Sequence, residues 1–575
     1  LWYNEYNEHN STTSSLYTDR EAPFCFTRSR LTTCARLPVH DLKSTLRIIY
    51  TVLIVYIYNL LYRQLFLEIN TSPQLSLSNT LYITNKPHHP KNTHCTATME
   101  KIHDWNSACY PEIIDDCIHK LIEKQATECP NAPAIRAWDR EFSYGELNAA
   151  SNRLAHHLTA KHHLQVGQVV HVMFEKSAWY FVAILAINKA GGLWAPLDPS
   201  YPLQRLQTIV SQTKSRLALT SPSYAELGVQ LTGTVVEVTP RLDVQLSRVA
   251  GTSDRAPETA VTPRDPVYLL FTSGSTGTPK GFIMEHGGVA TSQVAIGRRL
   301  GLHPGVRILQ FATFVFDLSI GEILGPLLFG ACIYVPSEEA RLNALPEFIR
   351  DSGVNWMYLT PAFTRTLSPE SFPGLELLLL AGEAVGRDVL EAWFGRVRLF
   401  NGWGPAETCC FSTLHEWKSV DESPMTIGRP VGGLCWIVDP EDPLTLLPAG
   451  EEGEVVIQGP SILLGYIGDE EKTERAVVRN LPSWAPRRDD GPYSRFYKSG
   501  DLASYNRDGT INFISRKDTQ IKIRGLRVEL EEIEHHVRQH LRGAKQVVVD
   551  VLRTGSTASL VTYFAFTTET KAAPA

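Results

Sequence analysis

Basic residues are outnumbered in this chain: 55 Lys and Arg stand against 61 Asp and Glu, a formal net charge of −6. That balance excludes the broad positive field with which a protein holds nucleic acid. The ten cysteines are scattered, Cys409–Cys410 is the one adjacent pair, and no spacing among them suits zinc. Isolated thiols fit a reducing compartment, so a cytoplasmic location is expected. After residue 100 there is no internal repeat and no long low-complexity run, which sets solenoids and arrays aside. Apolar runs of membrane length are also missing. The run that stands out, IIYTVLIVYIYNLLY from Ile48 to Tyr62, is flanked by Arg47 and Arg63 and broken by Asn59. It falls short of the roughly 20 residues that a spanning helix needs.

Methionine is absent from residues 1–98, and the first is Met99, in TATMEKIHDWN. This region is rich in Asn, Thr, Tyr and His and has poor amphipathic periodicity. Its apolar run has three readings: a membrane anchor, a buried helix or strand, or part of an upstream extension with Met99 as the natural start. The third is the expectation adopted, a poorly structured or spurious extension over 1–98 with no signal peptide and no membrane association.

What is present is the composition of a soluble globular protein, 43% hydrophobic and 20% charged, in a chain of 575 residues. Two or three domains follow from that length. From about Cys117 the pattern becomes regular. CIHKLIEKQATECPNAPAI reads as an amphipathic helix stopped by Pro130. FSYGELNAASNRLAHHLTAKH reads as a helix capped by Ser143, with Glu146 three residues on. VGQVVHVMFEKSAWYFVAILAINKAGGLWAPLD alternates strand, helix and strand as a βαβ unit does. Similar alternation to about residue 400 implies an α/β architecture with large sheets.

VYLLFTSGSTGTPKG carries the first chemistry. A short apolar strand, Val267 to Phe271, runs into a loop of hydroxyls (Thr272, Ser273, Ser275, Thr276) and unhindered amides (Gly274, Gly277) that ends at Lys280. Backbone N–H groups in such a loop can surround phosphate oxygens, and the lysine adds a positive charge. It is not a Walker loop: the glycines are too close, Pro279 precedes the lysine, and Gly281 follows it, so no hydroxyl stands there for magnesium.

With this loop the sequence resembles the adenylate-forming superfamily, and within it the amino-acid-activating adenylation domains of nonribosomal peptide synthetases. The shared motifs occur in family order: FSYGEL (142–147), NKAGGLWAPLDPSYP (188–202), FTSGSTGTPKG (271–281), FVFDLSIGE (314–322), NGWGPAET (401–408), GEVVIQGPSILLGYIG (453–468), FYKSGDL (496–502) and SRKDTQIKIRGLRVELEEIE (515–534). The resemblance implies a large adenylate-forming domain with multiple β-sheets and packed helices over 99–517. A small α+β domain, truncated, is implied over 518–575. It also implies a two-step reaction. ATP and an amino acid give an aminoacyl-adenylate and pyrophosphate, and the acyl group then passes to the phosphopantetheine thiol of a carrier domain. Carrier and condensation domains of a synthetase are the implied partners. An acyl- or aryl-CoA ligase and a degenerate nucleotide-binding fragment are the alternative readings.

Roles follow from the resemblance residue by residue. The Thr272–Lys280 loop would close over the β- and γ-phosphates. Glu407 would hold Mg2+, with Thr408 beside it at the α-phosphate. Trp403 stands where the family usually has a tyrosine against adenine, within Asn401–Gly402–Trp403, and Gly382 and Glu383 would form the opposite wall. Asp501 would accept from both ribose hydroxyls, since a carboxylate matches a vicinal diol. Phe513 and Arg516 would lie on the nucleotide side. Asp518 would be the hinge between domains, with Lys522, Arg524 and Gly525 on the segment facing the site in the second step.

Asp317 would pair with the substrate's α-ammonium, which favours an α-amino acid. Leu318, Gly321, Tyr358, Leu379, Ala381, Gly402, Cys410 and Phe411 would line the side-chain pocket. These positions are small or apolar, so a bulky apolar or aromatic amino acid is expected. Histidines such as His535 and His536 are expected at the surface. The family's late lysine near an Asn-Gly-Lys stretch has no counterpart in FAFTTETKAAPA, and Lys571 is not assigned to it. Impaired adenylation with retained binding is therefore expected.

Overall fold

The computed structural model describes residues 93–252, 254–274, 278–486, 494–518, 520–523, 526–541, 544–554 and 557–566. The chain divides into two units, 1–88 and 89–575, and the described residues belong to the second. The apolar run Ile48–Tyr62, the loop residues Ser275, Thr276 and Gly277, Arg524, Gly525 and Lys571 lie outside them. Among the described residues no helix is long and apolar enough to cross a membrane.

The expected early elements form. The helix Tyr144–His162 begins at a capping box: the Ser143 hydroxyl accepts from the Glu146 amide at 3.2 Å, and the Ser143 amide donates to the Glu146 carboxylate at 2.8 Å. Two otherwise orphaned helix-end donors are thereby satisfied. The helix Ile118–Glu128 ends before Pro130, which cannot continue it. Strands Val169–Met173 and Leu193–Pro196 pair in parallel across the helix Ala178–Lys189, as a βαβ unit requires.

Two large sheets dominate. In the seven-stranded sheet, Thr234–Glu237, Leu217–Thr220, Val169–Met173, Leu193–Pro196 and Pro266–Thr272 lie side by side in parallel. Lys280–Glu285 then pairs antiparallel with Pro266–Thr272, which places the glycine-rich loop at the tip of a hairpin. The fourteen-stranded sheet has a parallel row: Pro133–Ala137, Cys332–Val335, Arg307–Leu309, Trp356–Leu359, Leu377–Ala381 and Arg398–Trp403. Antiparallel strands extend it to Phe496–Tyr505 and Ile511–Arg516.

The leucine run in this row shows how sequence becomes two surfaces. Leu377–Ala381 is buried on both faces, as strands of a covered parallel sheet are. Side chains alternate along it. Leu377, Leu379 and Ala381 join the main core with Tyr358 and Phe400. Leu378 and Leu380 join a second core with Met357, Leu359 and Leu399. The register aligns Tyr358 with Leu379 and Ala381 with Gly402. One face at the carboxyl ends of adjacent strands therefore presents these four together, the place where open α/β sheets bind ligands.

Beyond residue 518 the described part is smaller. It comprises a ribbon of Gln520–Ile523 with Leu526–Glu529, the helix Leu530–His540, and a ribbon of Ala544–Thr554 with Thr557–Phe566.

Candidate active site

The hairpin tip comes first. Thr272 pairs with Lys280 across the antiparallel strands, so both ends of the loop are fixed. Gly274 tolerates no side chain, because a Cβ there would stand 2.2 Å from the Thr278 carbonyl oxygen. The Thr272 hydroxyl is buried and finds no hydrogen-bond partner among the described residues. A donor held without a partner beside a glycine-rich turn is suited to an anion. Lys280 Nζ lies 3.1 Å from Glu529 Oε1, and both side chains are about nine-tenths buried. Gln520 Nε2 donates to the same Glu529 oxygen. The segment after residue 518 thus reaches the lysine at the end of the glycine-rich loop. Lys522 lies in the ribbon that supplies Gln520 and Glu529.

Glu407 and Thr408 lie in a short 3-10 turn, Ala406–Thr408, directly after the strand Arg398–Trp403, and both are fully buried. The Tyr466 hydroxyl donates to Glu407 Oε1 at 3.0 Å. The Thr408 and Ser412 hydroxyls are 2.7 Å apart. The donors gathered here are all oxygen, a carboxylate and hydroxyls, and such a set fits magnesium and disfavours softer ions.

Trp403 makes a contact beyond the one expected of it. Its indole N–H donates to Asp501 Oδ2 at 2.9 Å, while Arg516 Nη1 donates to Asp501 Oδ1 at 2.5 Å. Arg516 also holds both carboxylate oxygens of Asp518 at 2.6 Å. An indole can make this bond where a phenyl ring cannot. The nucleotide-side candidates Trp403, Asp501, Arg516 and the hinge candidate Asp518 are thus one chain of contacts. Phe513, on the strand that carries Arg516, is half-buried against the core. Asn401 is occupied structurally, donating to the Thr426 carbonyl at 2.9 Å. Gly382 has φ +87°, open to glycine at little cost, and Glu383 accepts from the Ala362 amide at 3.1 Å.

The pocket candidates converge. A Cβ on Gly321, in the helix Leu318–Leu328, would meet Cys410 Sγ at 3.6 Å, Tyr358 at 3.6 Å and Phe411 at 3.7 Å. A Cβ on Gly402 would stand 2.8 Å from the Phe411 ring and 3.1 Å from Leu379. Asp317 stands at the N-cap position of the same helix without a side-chain capping bond and is half-buried, as is Leu318. Asp317 is close enough to raise the Cys410 thiol further, after burial itself, which raises it most. Cys409 and Cys410 have φ of 67° and 77°, a left-handed pair without glycine. Such strain costs about 1–3 kcal/mol per residue and is typical of functional sites. It turns the chain after Thr408 so that Cys410 and Phe411 face Gly321.

One network behind this pocket was not foreseen. Lys176, Gln310 and Glu322 are all fully or almost fully buried. Lys176 Nζ donates to Gln310 Oε1 at 2.6 Å and to the Ala312 carbonyl. Gln310 Nε2 donates to Glu322 Oε2 at 2.9 Å, and the Ala312 amide donates to the same carboxylate at 3.1 Å. Burial pushes Glu322 up to about 7 and Lys176 down to about 7, each opposed by the charge of the other. Phe314 stacks on Tyr180 at 3.6 Å with Lys176 4.7 Å from its ring. The strand-to-helix segment that leads to Asp317 is thus clamped at Gln310, Ala312 and Phe314. The acidic end of the clamp was legible within FVFDLSIGE, but its lysine lies 134 residues before Gln310.

A profile of AMP-binding enzymes matches residues 122–467. The chain belongs to that family, and its likeness is to the adenylation domains of nonribosomal peptide synthetases. It is 43% identical over 458 residues to nonribosomal peptide synthetase TES of Alternaria alternata, covering 78% of this chain and 9% of that one. It spans less than a tenth of that relative's length. A solved nonribosomal peptide synthetase protein containing adenylation and PCP domains, bound to a vinylsulfonamide inhibitor, shares the fold with a TM-score of 0.69 at 24% identity, covering 81% of this chain and 78% of that one. A four-domain synthetase solved with AMP and glycine gives a TM-score of 0.63 at 28% identity, covering 80% and 34%.

Proposed function

We propose that this chain uses ATP to convert a bulky apolar or aromatic α-amino acid to its aminoacyl-adenylate. Loading onto the phosphopantetheine thiol of a carrier domain would follow, in a synthetase that also carries condensation domains. The observation that carries the reading is the convergence of Gly321, Tyr358, Cys410 and Phe411 beside Asp317, with the Asp501–Arg516–Trp403 cluster at the end of the neighbouring strand. Nonribosomal peptide synthetases solved with AMP and with AMPPNP support the nucleotide assignment.

The chemistry needs no protein nucleophile. A substrate carboxylate oxygen attacks the α-phosphorus, the bond to the bridging oxygen breaks, and pyrophosphate leaves. Asp317 orients the substrate by its ammonium. Asp501 holds the ribose, with Trp403 and Arg516 fixing its carboxylate. Lys280 and the Thr272 hydroxyl face the departing phosphates, a charge placed for the transition state. Magnesium bound at Glu407 would neutralise phosphate oxygens. Asp518 is the hinge about which the 518–575 part would reorient over the 99–517 part between steps.

Tyr358 refines the substrate class. Its hydroxyl is buried and has no hydrogen-bond partner among the described residues. An aromatic substrate with a hydrogen-bonding atom at its tip would satisfy that hydroxyl. The test is amino-acid-dependent exchange of labelled pyrophosphate into ATP across the amino acids, with and without Asp317→Asn. Exchange with aromatic or large apolar amino acids, lost in the variant, is expected. Preference for Asp, Lys or Gly would overturn the substrate assignment. Product formation only with amine-free acids and coenzyme A would favour the ligase alternative.

A further inference from the structure

Away from the cleft, three side chains that the proposed reaction does not use meet in the interior. Cys117 immediately precedes the helix Ile118–Glu128, and His119 is that helix's second residue. His286 opens the helix His286–Leu300, directly after the strand Lys280–Glu285. One potential ligand atom from each, the Cys117 sulfur and a ring nitrogen of each histidine, lies within 4.8 Å of the other two. Their exposures are 0%, 3% and 0%. The two imidazoles meet edge to face with centroids 5.2 Å apart. His119 and His286 are buried, so the surface position expected of histidines such as His535 and His536 does not extend to them, and the cluster joins one cysteine to two histidines, which cysteine spacing alone does not test. The sequence hid it because one of its members is remote from the Cys-x-His pair.

Buried ring nitrogens almost always have partners. Among the described residues, neither nitrogen of His286 has one, nor does Nδ1 of His119. The Cys117 sulfur has only a long contact, 4.0 Å from the Val261 carbonyl oxygen. We propose that Cys117, His119 and His286 bind a single thiolate-preferring d10 cation, zinc(II) or copper(I). A thiolate and imidazoles are the donors these ions select, whereas magnesium and calcium prefer oxygen. Bonds of about 2.3 Å to sulfur and 2.0–2.1 Å to nitrogen place donors on one ion roughly 3–4 Å apart, so small side-chain adjustments close the site. Each imidazole can bind through one ring nitrogen while the other keeps its N–H, so neither has to give up a proton. The Cys117 thiol would release its proton to solvent as the metal–sulfur bond forms. The ion would then join the start of one helix to the end of the strand that begins with Lys280, supporting the phosphate hairpin from behind.

The test uses the full chain and Cys117→Ser, which nearly preserves volume. Each is loaded separately with zinc(II) and with copper(I) under reducing conditions, dialysed, and measured for bound metal and thermal unfolding. Cobalt(II) is then used as a spectroscopic probe. The expected result is one metal ion per folded wild-type chain, a thiolate-to-cobalt charge-transfer band, and a higher Tm with metal. Loss of an outer partner of a ligand weakens metal binding roughly 10- to 100-fold, so loss of the thiolate should weaken it at least about 100-fold. The stronger of the zinc and copper arms identifies the ion. Equal retention in Cys117→Ser, or folded wild type that holds no metal and shows no thiolate band, would overturn the proposal. The wild-type spectrum decides even if the variant does not fold, and it is independent of whether adenylation occurs.

Discussion

Replacing Glu322 by glutamine should damage both the fold and the amino-acid site, and the size of the effect can be bounded. Glu322 and Lys176 are 0% and 2% exposed, so solvent screens neither. In Glu322→Gln the Lys176 ammonium loses its counter-charge but keeps acceptors at Gln310 and Ala312. It can stay charged in a dry site or give up its proton. Giving it up at pH 7 costs about 1.4 kcal/mol per unit below an ordinary lysine pKa near 10.4, roughly 4.6 kcal/mol in all. That ceiling agrees with the roughly 3–5 kcal/mol lost when one partner of a buried pair is removed. The sign with pH follows from proton binding. With the folded pKa of Lys176 depressed, the unfolded chain binds more protons between the two values, so stability rises with pH there. Wild type carries most of the same dependence, because its Lys176 is already held down to about 7, so the penalty should change by less than about 1.4 kcal/mol, one pKa unit's worth, between pH 7 and pH 9. Urea unfolding of wild type and variant at the two pH values measures this, and pyrophosphate exchange gives the amino-acid KM, which should rise because the clamped segment leads to Asp317. A loss under about 1 kcal/mol at pH 7, where a broken buried pair should cost several, would refute the reasoning.

Three further outcomes are expected. Gly321→Ala should fold normally, since its Cβ would make only ordinary contacts at 3.6–3.7 Å, but it should raise KM for the largest amino-acid substrates in the exchange assay. Gly402→Ala forces a Cβ to 2.8 Å from Phe411 and should lose about 1–3 kcal/mol in denaturant unfolding. Trp403→Phe removes the indole donor to Asp501 and should cost about 1.5–3 kcal/mol in ATP binding by calorimetry, if the bond to that charged group orients it for ribose.

The sequence made the fold legible where one short stretch contained the whole cause. Ser143 and Glu146 define a helix start three residues apart, and the structure forms both bonds. The alternation of Leu377–Ala381 needs only the period of a strand, yet it sorts the candidate pocket face from the far core. Candidate pocket positions such as Gly321, Gly402 and Phe411 were reachable through resemblance, but their mutual approach joins a helix, a strand and the turn at Cys409–Cys410, which no single stretch of sequence displays. The bond from Trp403 to Asp501 was not legible, because an aromatic in that motif suggests stacking and its N–H partner sits on another strand. The Lys176–Gln310–Glu322 clamp and the Cys117–His119–His286 cluster were hidden for a similar reason. Nothing near Lys176, or near Cys117, says which distant segment will cover it.

The alternation along Leu377–Ala381 has a consequence for divergence. Residues on the candidate pocket face and residues turned toward the second core occupy different registers of the same strands, so a change in Leu379 or Ala381 leaves Leu378 and Leu380 seated. Selectivity can therefore drift by single replacements while the scaffold beneath is inherited intact. Descendants of one such domain could come to accept different monomers without ever passing through an unfolded ancestor.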